Sequence, residues 1–451
     1  LGIIWRKSWR RSSVNKQRIF TEIDHIDTYK RYGRVNRVVG ILIESKGPEV
    51  SIGEVCYIHL KDNHEKMMAE VIGFHNEKVL LMPYANVQNI SSGCLVEATK
   101  DSLQIKIGRG LIGKVVDATG QLLDGSPLPK GMKNYSTHQE PPNPLERPRI
   151  QEPLEVGVKA IDTMLTVGKG QRVGIFAGSG VGKSTLLGMI ARNSSADINV
   201  IGLIGERGRE LKEFIERDLG EEGLTKSIVV VATSDQSPLM RIKGAFTATA
   251  ISEYFRDQGY EVNLMMDSVT RVAMAQREIG LAIGEPPTTK GYTPSVFALL
   301  PSLLERTGQS SKGSITAFYT VLVDGDDFNE PIADTVRGVL DGHFVLDRKL
   351  AEKGQFPAIN ILQSVSRVMN DILPEEELQV IQKARSILAA YQDNEELIQI
   401  GAYKNGTNPV VDEAIRQHPH LMDFLKQATH ETSNRNQAYE QLFGIIKGSR
   451  M

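Results

Sequence analysis

Residues 172–192 constrain this chain more than any other stretch. Arg172–Phe176 is an apolar run, residues 177–184 read Ala-Gly-Ser-Gly-Val-Gly-Lys-Ser, and Ser184–Arg192 has helical character. Gly178, Gly180 and Gly182 let the backbone N–H groups of a loop, those of Ser179 and Val181 included, converge on an anion without Cβ clashes. The helix that follows aims the positive end of its dipole at the same point. Lys183 would then reach the β- and γ-phosphates of a nucleotide, and the Ser184 hydroxyl would hold Mg²⁺. The eight residues Gly178 to Thr185 are the expected nucleotide-binding loop. Ala177 stands where the pattern prefers glycine, which removes freedom at positive φ from one end of the loop.

The rhythm around this loop is strand–helix alternation. Val200–Ile204, Ile228–Ala232 and Val262–Met266 read as apolar strands, and Arg209–Asp218 and Leu239–Asp257 as helices. Nearly continuous apolar strands belong to a parallel sheet covered on both faces, so the fold class is α/β. Ligands of such sheets bind at the carboxyl edge. Two carboxylates end strands there. Asp267 closes Asn263-Leu-Met-Met-Asp267 and would hold Mg²⁺ beside Ser184. Glu206, in Gly205-Glu-Arg-Gly-Arg-Glu210, would polarise the attacking water, and Arg207 would neutralise charge on the transferring phosphoryl group. Ordinary readings stand beside these: a strand-end Asp that caps the next helix, and a solvated charged loop.

Outside the sheet the patterns change. From Thr21 to Thr99, runs such as Arg34–Glu44, Glu54–Leu60, Met67–Phe74 and Val79–Pro83 alternate with turns such as His75-Asn-Glu-Lys78, which suggests a small barrel. A Pro-rich linker follows at Pro141–Pro148. After Pro374 the strand signal fades: Glu375–Gln392 has helical periodicity, and Asp412–Arg416 and Leu421–Gln427 are shorter candidates. The expected organisation is a basic arm over 1–20, a β-barrel over 21–98, a phosphate-loop domain over 99–373 and a helical domain over 374–451. A net charge of −2 supplies no global field toward nucleic acid or membrane. The two cysteines, Cys56 and Cys94, are too few for a disulfide scaffold and read as packing thiols of a reducing compartment. No apolar run approaches the length of about 18 residues that a membrane helix needs. The first twenty residues carry Arg6, Lys7, Arg10, Arg11, Lys16 and Arg18 around Trp5 and Trp9. They read either as an amphipathic arm toward anionic lipid or a partner, or, preferred here, as a frayed or non-native tail.

At this point the residues resemble the rotary and secretion ATPase family, which includes the catalytic subunits of F-type ATP synthases and the ATPases of type III secretion and flagellar export. The resemblance runs through Gly108–Gly125, Gly157-Val-Lys-Ala-Ile-Asp162, Gly168–Arg172 and the phosphate loop to Pro357-Ala-Ile-Asn-Ile-Leu-Gln-Ser-Val-Ser366. It implies a RecA-like nucleotide fold, an N-terminal barrel and a hexameric ring. It also implies roles. Glu206 matches the catalytic glutamate of the synthase's catalytic subunit. Ser366-Arg367 matches the motif whose arginine reaches into the neighbouring subunit's site. Phe356 matches an aromatic residue that stacks on adenine, and Arg271 an arginine near the phosphates. Arg277–Pro294 resembles the loop that faces the central channel. Because this chain carries both Glu206 and Arg367, identical copies could complete every interface.

Ala317–Asp327 and Asn329–Asp334 look more like the secretion and flagellar branch than the synthase. Val339–His343 and Val345–Asp347 favour the flagellar form. The implied activity is Mg²⁺-dependent ATP hydrolysis by a homohexamer that strips chaperones from export substrates or unfolds them. The implied partners are ATP, a stator or regulator, a central stalk protein, export chaperones and the export gate. The implied location is the cytoplasm, peripheral to the membrane at the flagellar base. Competing readings are a virulence secretion ATPase, a synthase subunit, which would need a second kind of chain, and a nucleotide-binding structural subunit, against which Glu206 speaks. A ring RNA helicase is disfavoured: the barrel has Lys30, Arg31, Arg34 and Arg37 but no stacking platform, so no nucleic acid partner is expected.

Overall fold

The computed structural model describes residues 30–61, 65–85, 89–323, 328 and 330–448. The basic arm expected over 1–20 lies outside the described residues. Six strands form a closed barrel: β1 (Tyr32–Val39), β2 (Leu42–Lys46), β3 (Glu54–His59), β4 (Lys66–His75), β5 (Lys78–Pro83) and β6 (Leu95–Ser102), in the order β1-β2-β5-β4-β3-β6. The run expected as one strand over Arg34–Glu44 is a hairpin, split at Gly40, whose φ is +57°. Asn76 and Glu77 both have positive φ, as a tight turn between β4 and β5 requires. Val35, Ile43, Ile58, Val71, Leu81 and Val96 fill the barrel, with Cys56 and Cys94 as free buried thiols among them. Burial pushes the Cys56 thiol up to about 12, which leaves it unreactive. The barrel's basic residues are largely spent on carboxylates: Lys30 and Lys66 on Glu97, Arg31 on Glu49, and Arg37 and Lys78 on Glu44.

The central sheet is built from β7 (Val115–Asp117), β8 (Arg172–Ala177), β9 (Ile198–Ile204), β10 (Ser227–Ala232), β11 (Glu261–Asp267), β12 (Ser314–Leu322), β13 (Gly342–Leu346) and β14 (Val365–Ser366), ordered β14-β13-β8-β12-β11-β9-β10-β7. Pairing is parallel from β13 through β7; it is antiparallel where β14 joins and where the short segment Gly308–Gln309 pairs with the start of β12. Alternate residues of one strand feed two cores. Val200 and Ile204 pack with helices Pro238–Asp257, Val269–Ile283 and Pro294–Leu304 on one face. Ile201 and Leu203 pack with the phosphate-loop helix Lys183–Asn193 on the other. Both faces of the strands are therefore apolar, as the sequence pattern required.

The helical C-terminal region joins this second core. It holds Glu375–Gln399, Pro409–Leu425 and Arg435–Lys447, and Ile387, Leu421, Phe424 and Leu442 pack in the same cluster as Leu187 and Ile190. Two short helices expected at Asp412–Arg416 and Leu421–Gln427 are one helix that carries Pro419 inside it. The channel-facing loop expected over Arg277–Pro294 is shorter: residues 277–283 complete the helix Val269–Ile283, and the chain leaves it at Gly284, φ +93°. Among the described residues no helix is long and apolar enough to cross a membrane.

Candidate active site

The strand β8 carries the phosphate loop to the carboxyl edge of the sheet. Gly180 and Gly182 take φ of +79° and +90°, a region closed to most side chains, and Gly182 caps the helix that begins at Lys183. Gly178 is buried, and Ser179 and Gly180 are exposed at the loop's tip. Ala177 does not need glycine's freedom: it is the last residue of β8, paired with Leu322 on one side and Leu346 on the other, and it is buried in extended backbone. The substitution that looked like a departure from the motif falls outside the left-handed part of the loop.

Two neighbouring strands deliver carboxylates to the same point. Lys183 Nζ lies 2.5 Å from Asp267 Oδ1 and 3.8 Å from Glu206 Oε1. Asp267 is almost fully buried and also accepts a hydrogen bond from the Thr320 hydroxyl at 2.8 Å. Ser184, Glu206 and Asp267 line one cavity of about 100 Å³, together with Glu210 and Asp218. Glu206 Oε1 is buried without a hydrogen-bond partner, a costly arrangement unless water or ligand completes it. Burial, then the Asp267 carboxylate, push Glu206 up to about 7, against the pull of Lys183 and Arg271. Burial opposes the charge on Lys183, but the Asp267 and Glu206 carboxylates outweigh it and hold its pKa above the ordinary value.

Arg271 follows Asp267 on the first turn of Val269–Ile283 and packs against Gly205; a Cβ added there would lie 2.7 Å from Arg271 Cβ, and Arg271 Nε is buried without a partner. Thr185 is bonded to Asp218 at 3.5 Å. Phe356 is half-exposed beside the loop, where a Cβ on Gly182 would lie 3.7 Å from its Cδ1. Arg207 is turned outward, 78% exposed, and its guanidinium pairs with Glu210 at 3.4 Å rather than with the loop. Arg367 is exposed just beyond β14 at the sheet's far edge, and its guanidinium makes no hydrogen bond or ion pair to a described residue.

Two partners of the site were not read from the sequence. Thr320 is the hydroxyl that steadies Asp267; its signal was one polar residue in the apolar run Ala317–Leu322. Arg348 donates to Ser179 O at 3.4 Å and gave no signal at all.

The donor set fits a magnesium ion. Asp267 and Ser184 face the cavity, the orphaned Glu206 oxygen stands beside them, and Mg²⁺ keeps several waters when few protein oxygens bind it. Among the described residues no three His, Cys, Asp or Glu side chains converge to hold an ion by themselves. The ion would therefore come with a ligand that supplies phosphate oxygens.

A parallel sheet, a phosphate loop and two carboxylates at its rim define a P-loop nucleotide hydrolase, and the comparisons place it. The profile of the ATP synthase alpha/beta family, nucleotide-binding domain, matches residues 157–366. The same family's beta-barrel domain matches 35–100, and the T3SS EscN ATPase C-terminal domain matches 373–443. The "Flagellum-specific ATP synthase" of Bacillus subtilis (strain 168) is 64% identical over 419 residues, 93% of this chain and 96% of that protein. The assembled ATPase EscN of the enteropathogenic E. coli type III secretion system superposes with a TM-score of 0.86 at 45% identity, covering 92% of this chain and 100% of the solved EscN chain. EscN in complex with its central stalk EscO gives 0.85 over the same share. The chain belongs to the ATP synthase alpha/beta family, in the branch of flagellum-specific and type III secretion ATPases. It is an ATPase of that export branch.

Proposed function

We propose that identical copies of this chain form a hexameric ring that hydrolyses Mg·ATP at each interface and so energises flagellar protein export. The observation that carries the reading is the convergence of Lys183, Asp267 and Glu206, at 2.5 and 3.8 Å, on a cavity at the mouth of the phosphate loop. The amides of Gly178 to Thr185 hold the phosphates, and Lys183 leaves Asp267 to bind the β- and γ-oxygens. Asp267, steadied by Thr320, and Ser184 are the residues that would hold Mg²⁺, which when bound screens the phosphate charge. Glu206 orients the water and takes its proton. Phe356 offers its free face to the adenine. Arg271 stands next to Glu206 and adds positive potential. Arg207 acts, if on phosphate, only after turning from Glu210. Arg367, exposed and unpaired among the described residues, reaches the next copy's site in trans, a contribution worth about 10³–10⁵ in rate. Assembly is supported by the likeness to EscN, solved as an assembly and with its stalk.

The further partners we propose are a central stalk protein, a stator or regulator, export chaperones and the export gate. The place we propose is the cytoplasmic face of the membrane at the flagellar base. The nearness to a flagellar relative supports this over the virulence form.

The test mixes two inactive variants. Glu206→Gln should bind ATP and release no phosphate; Arg367→Ala should do the same. Mixed, they create some interfaces with both wild-type groups, and phosphate release should reappear. Absence of recovery at every ratio, with mixed assemblies verified by mass, would refute the shared site.

A further inference from the structure

We infer that Gln427 positions Phe356 for the nucleotide base, and that the segment 427–431 fastens the helical C-terminal region to both ends of the phosphate-loop helix. The inference rests on the base-stacking reading of Phe356 above.

Gln427 lies in the connection between helices Pro409–Leu425 and Arg435–Lys447, where a polar side chain would ordinarily face water, yet it is only 4% exposed. Its hydrogen bonds explain the burial. The backbone N–H donates to Phe356 O at 3.0 Å. The carboxamide Nε2 donates to Gly157 O at 2.8 Å and to Glu431 O at 2.9 Å, and Oε1 accepts from Lys159 N at 2.8 Å. Both amide protons and one oxygen lone pair are thus used, and neither a carboxylate nor an apolar side chain of equal size can repeat the set.

These bonds end on the loop helix from two directions. At its carboxyl end, Gly157 is pressed so closely that a Cβ there would lie 2.2 Å from Asn193 Cβ, and Asp162 holds the Val156 and Gly157 N–H groups at 2.8 Å each. Arg192, in the last turn, donates to Thr429 O at 2.5 Å, while Lys159 pairs with Glu431 at 2.5 Å. At its amino end, Phe356 rests against Gly182. A displacement of the C-terminal helices therefore carries Gln427, and with it the ring of Phe356, relative to the phosphate loop. The motif Gly157–Asp162 becomes the fixed side of this link. Lys183 and the loop amides take no part in these bonds.

That separation sets the experiment, done on the full chain. KM and kcat for ATP are measured beside the inhibition constant of inorganic tripolyphosphate, a ligand with phosphates and no base. Gln427→Met keeps the volume and removes the side-chain bonds; Gln427→Glu keeps the acceptor alone and serves if the first does not fold. Either should raise KM for ATP about three- to tenfold, the scale of one aromatic stacking contact. The kcat and the tripolyphosphate constant should stay within about twofold. Phe356→Ala is run in parallel and should show the same split. If Phe356→Ala shifts ATP alone and the Gln427 variants do not, the positioning role is wrong. If the Gln427 variants weaken ATP and tripolyphosphate equally, Gln427 is only structural. If Phe356→Ala leaves the preference for ATP over tripolyphosphate unchanged, the base-stacking reading fails and this inference falls with it.

Discussion

Lys183 and Asp267 hold each other at 2.5 Å, so each protects the other from an unpaired buried charge. Glu206 has weaker protection, with Lys183 Nζ 3.8 Å from its Oε1. Its Oε1 is buried without a hydrogen bond, and burial with the neighbouring Asp267 charge raises it to about 7. Below that pH it carries a proton and cannot take one from water. The kcat/KM for ATP, which reports the free enzyme, should therefore fall about tenfold per unit as pH drops below about 7. A steady-state profile between pH 5.5 and 8.5 measures this. A profile flat through that range would remove Glu206 as the base.

At the scale of elements, the phosphate loop divides at Ala177. That residue belongs to β8, and the left-handed conformations begin at Gly180. Ala177→Gly should restore the usual motif and gain nothing. It should lower stability by about 1–2 kcal/mol, from the added chain entropy and the lost buried methyl, with KM for ATP unchanged. Urea titration beside steady-state kinetics reads both. The same elements show what was legible in the sequence. β9, β10 and β11 were visible to within two residues because a strand covered on both faces has to be apolar throughout. Glu206 and Asp267 were visible because they end such strands. The three-residue β7 and two-residue β14 were not, since so short a run has no period and takes its form from the neighbouring strand. Arg209–Asp218, read as one helix, changes winding at Phe214 and restarts at Gly220, where Asp218 packs on Gly188 of the loop helix. Pro419 broke the pattern of a helix that tertiary packing holds together. Arg348 and Gln427 act through backbone groups far away in sequence, and no local pattern marks such a partner.

At the scale of the whole molecule, the phosphate loop, Asp267 and Glu206 lie together at the carboxyl rim of the sheet, while Arg367, whose guanidinium has no partner among the described residues, lies beyond the sheet's edge at β14. If neighbours complete each other, phosphate release per chain should rise with protein concentration and level off where assembly, followed by light scattering, is complete. In Arg367→Ala the assembly curve should persist while the activity curve stays flat. Constant specific activity across the assembly transition would mean that each copy works alone.

The outer edge of the sheet belongs to β7, three residues that come from before the Pro-rich linker and lie along β10. Anyone trimming this chain to its catalytic half would naturally cut at that linker, near Pro141. Such a cut discards Val115–Asp117 and leaves the apolar backbone of 227–232 unzipped, with amides free to recruit a stranger's strand. A fragment that begins ahead of Gln104 keeps its own selvedge and stays clear of that clumping.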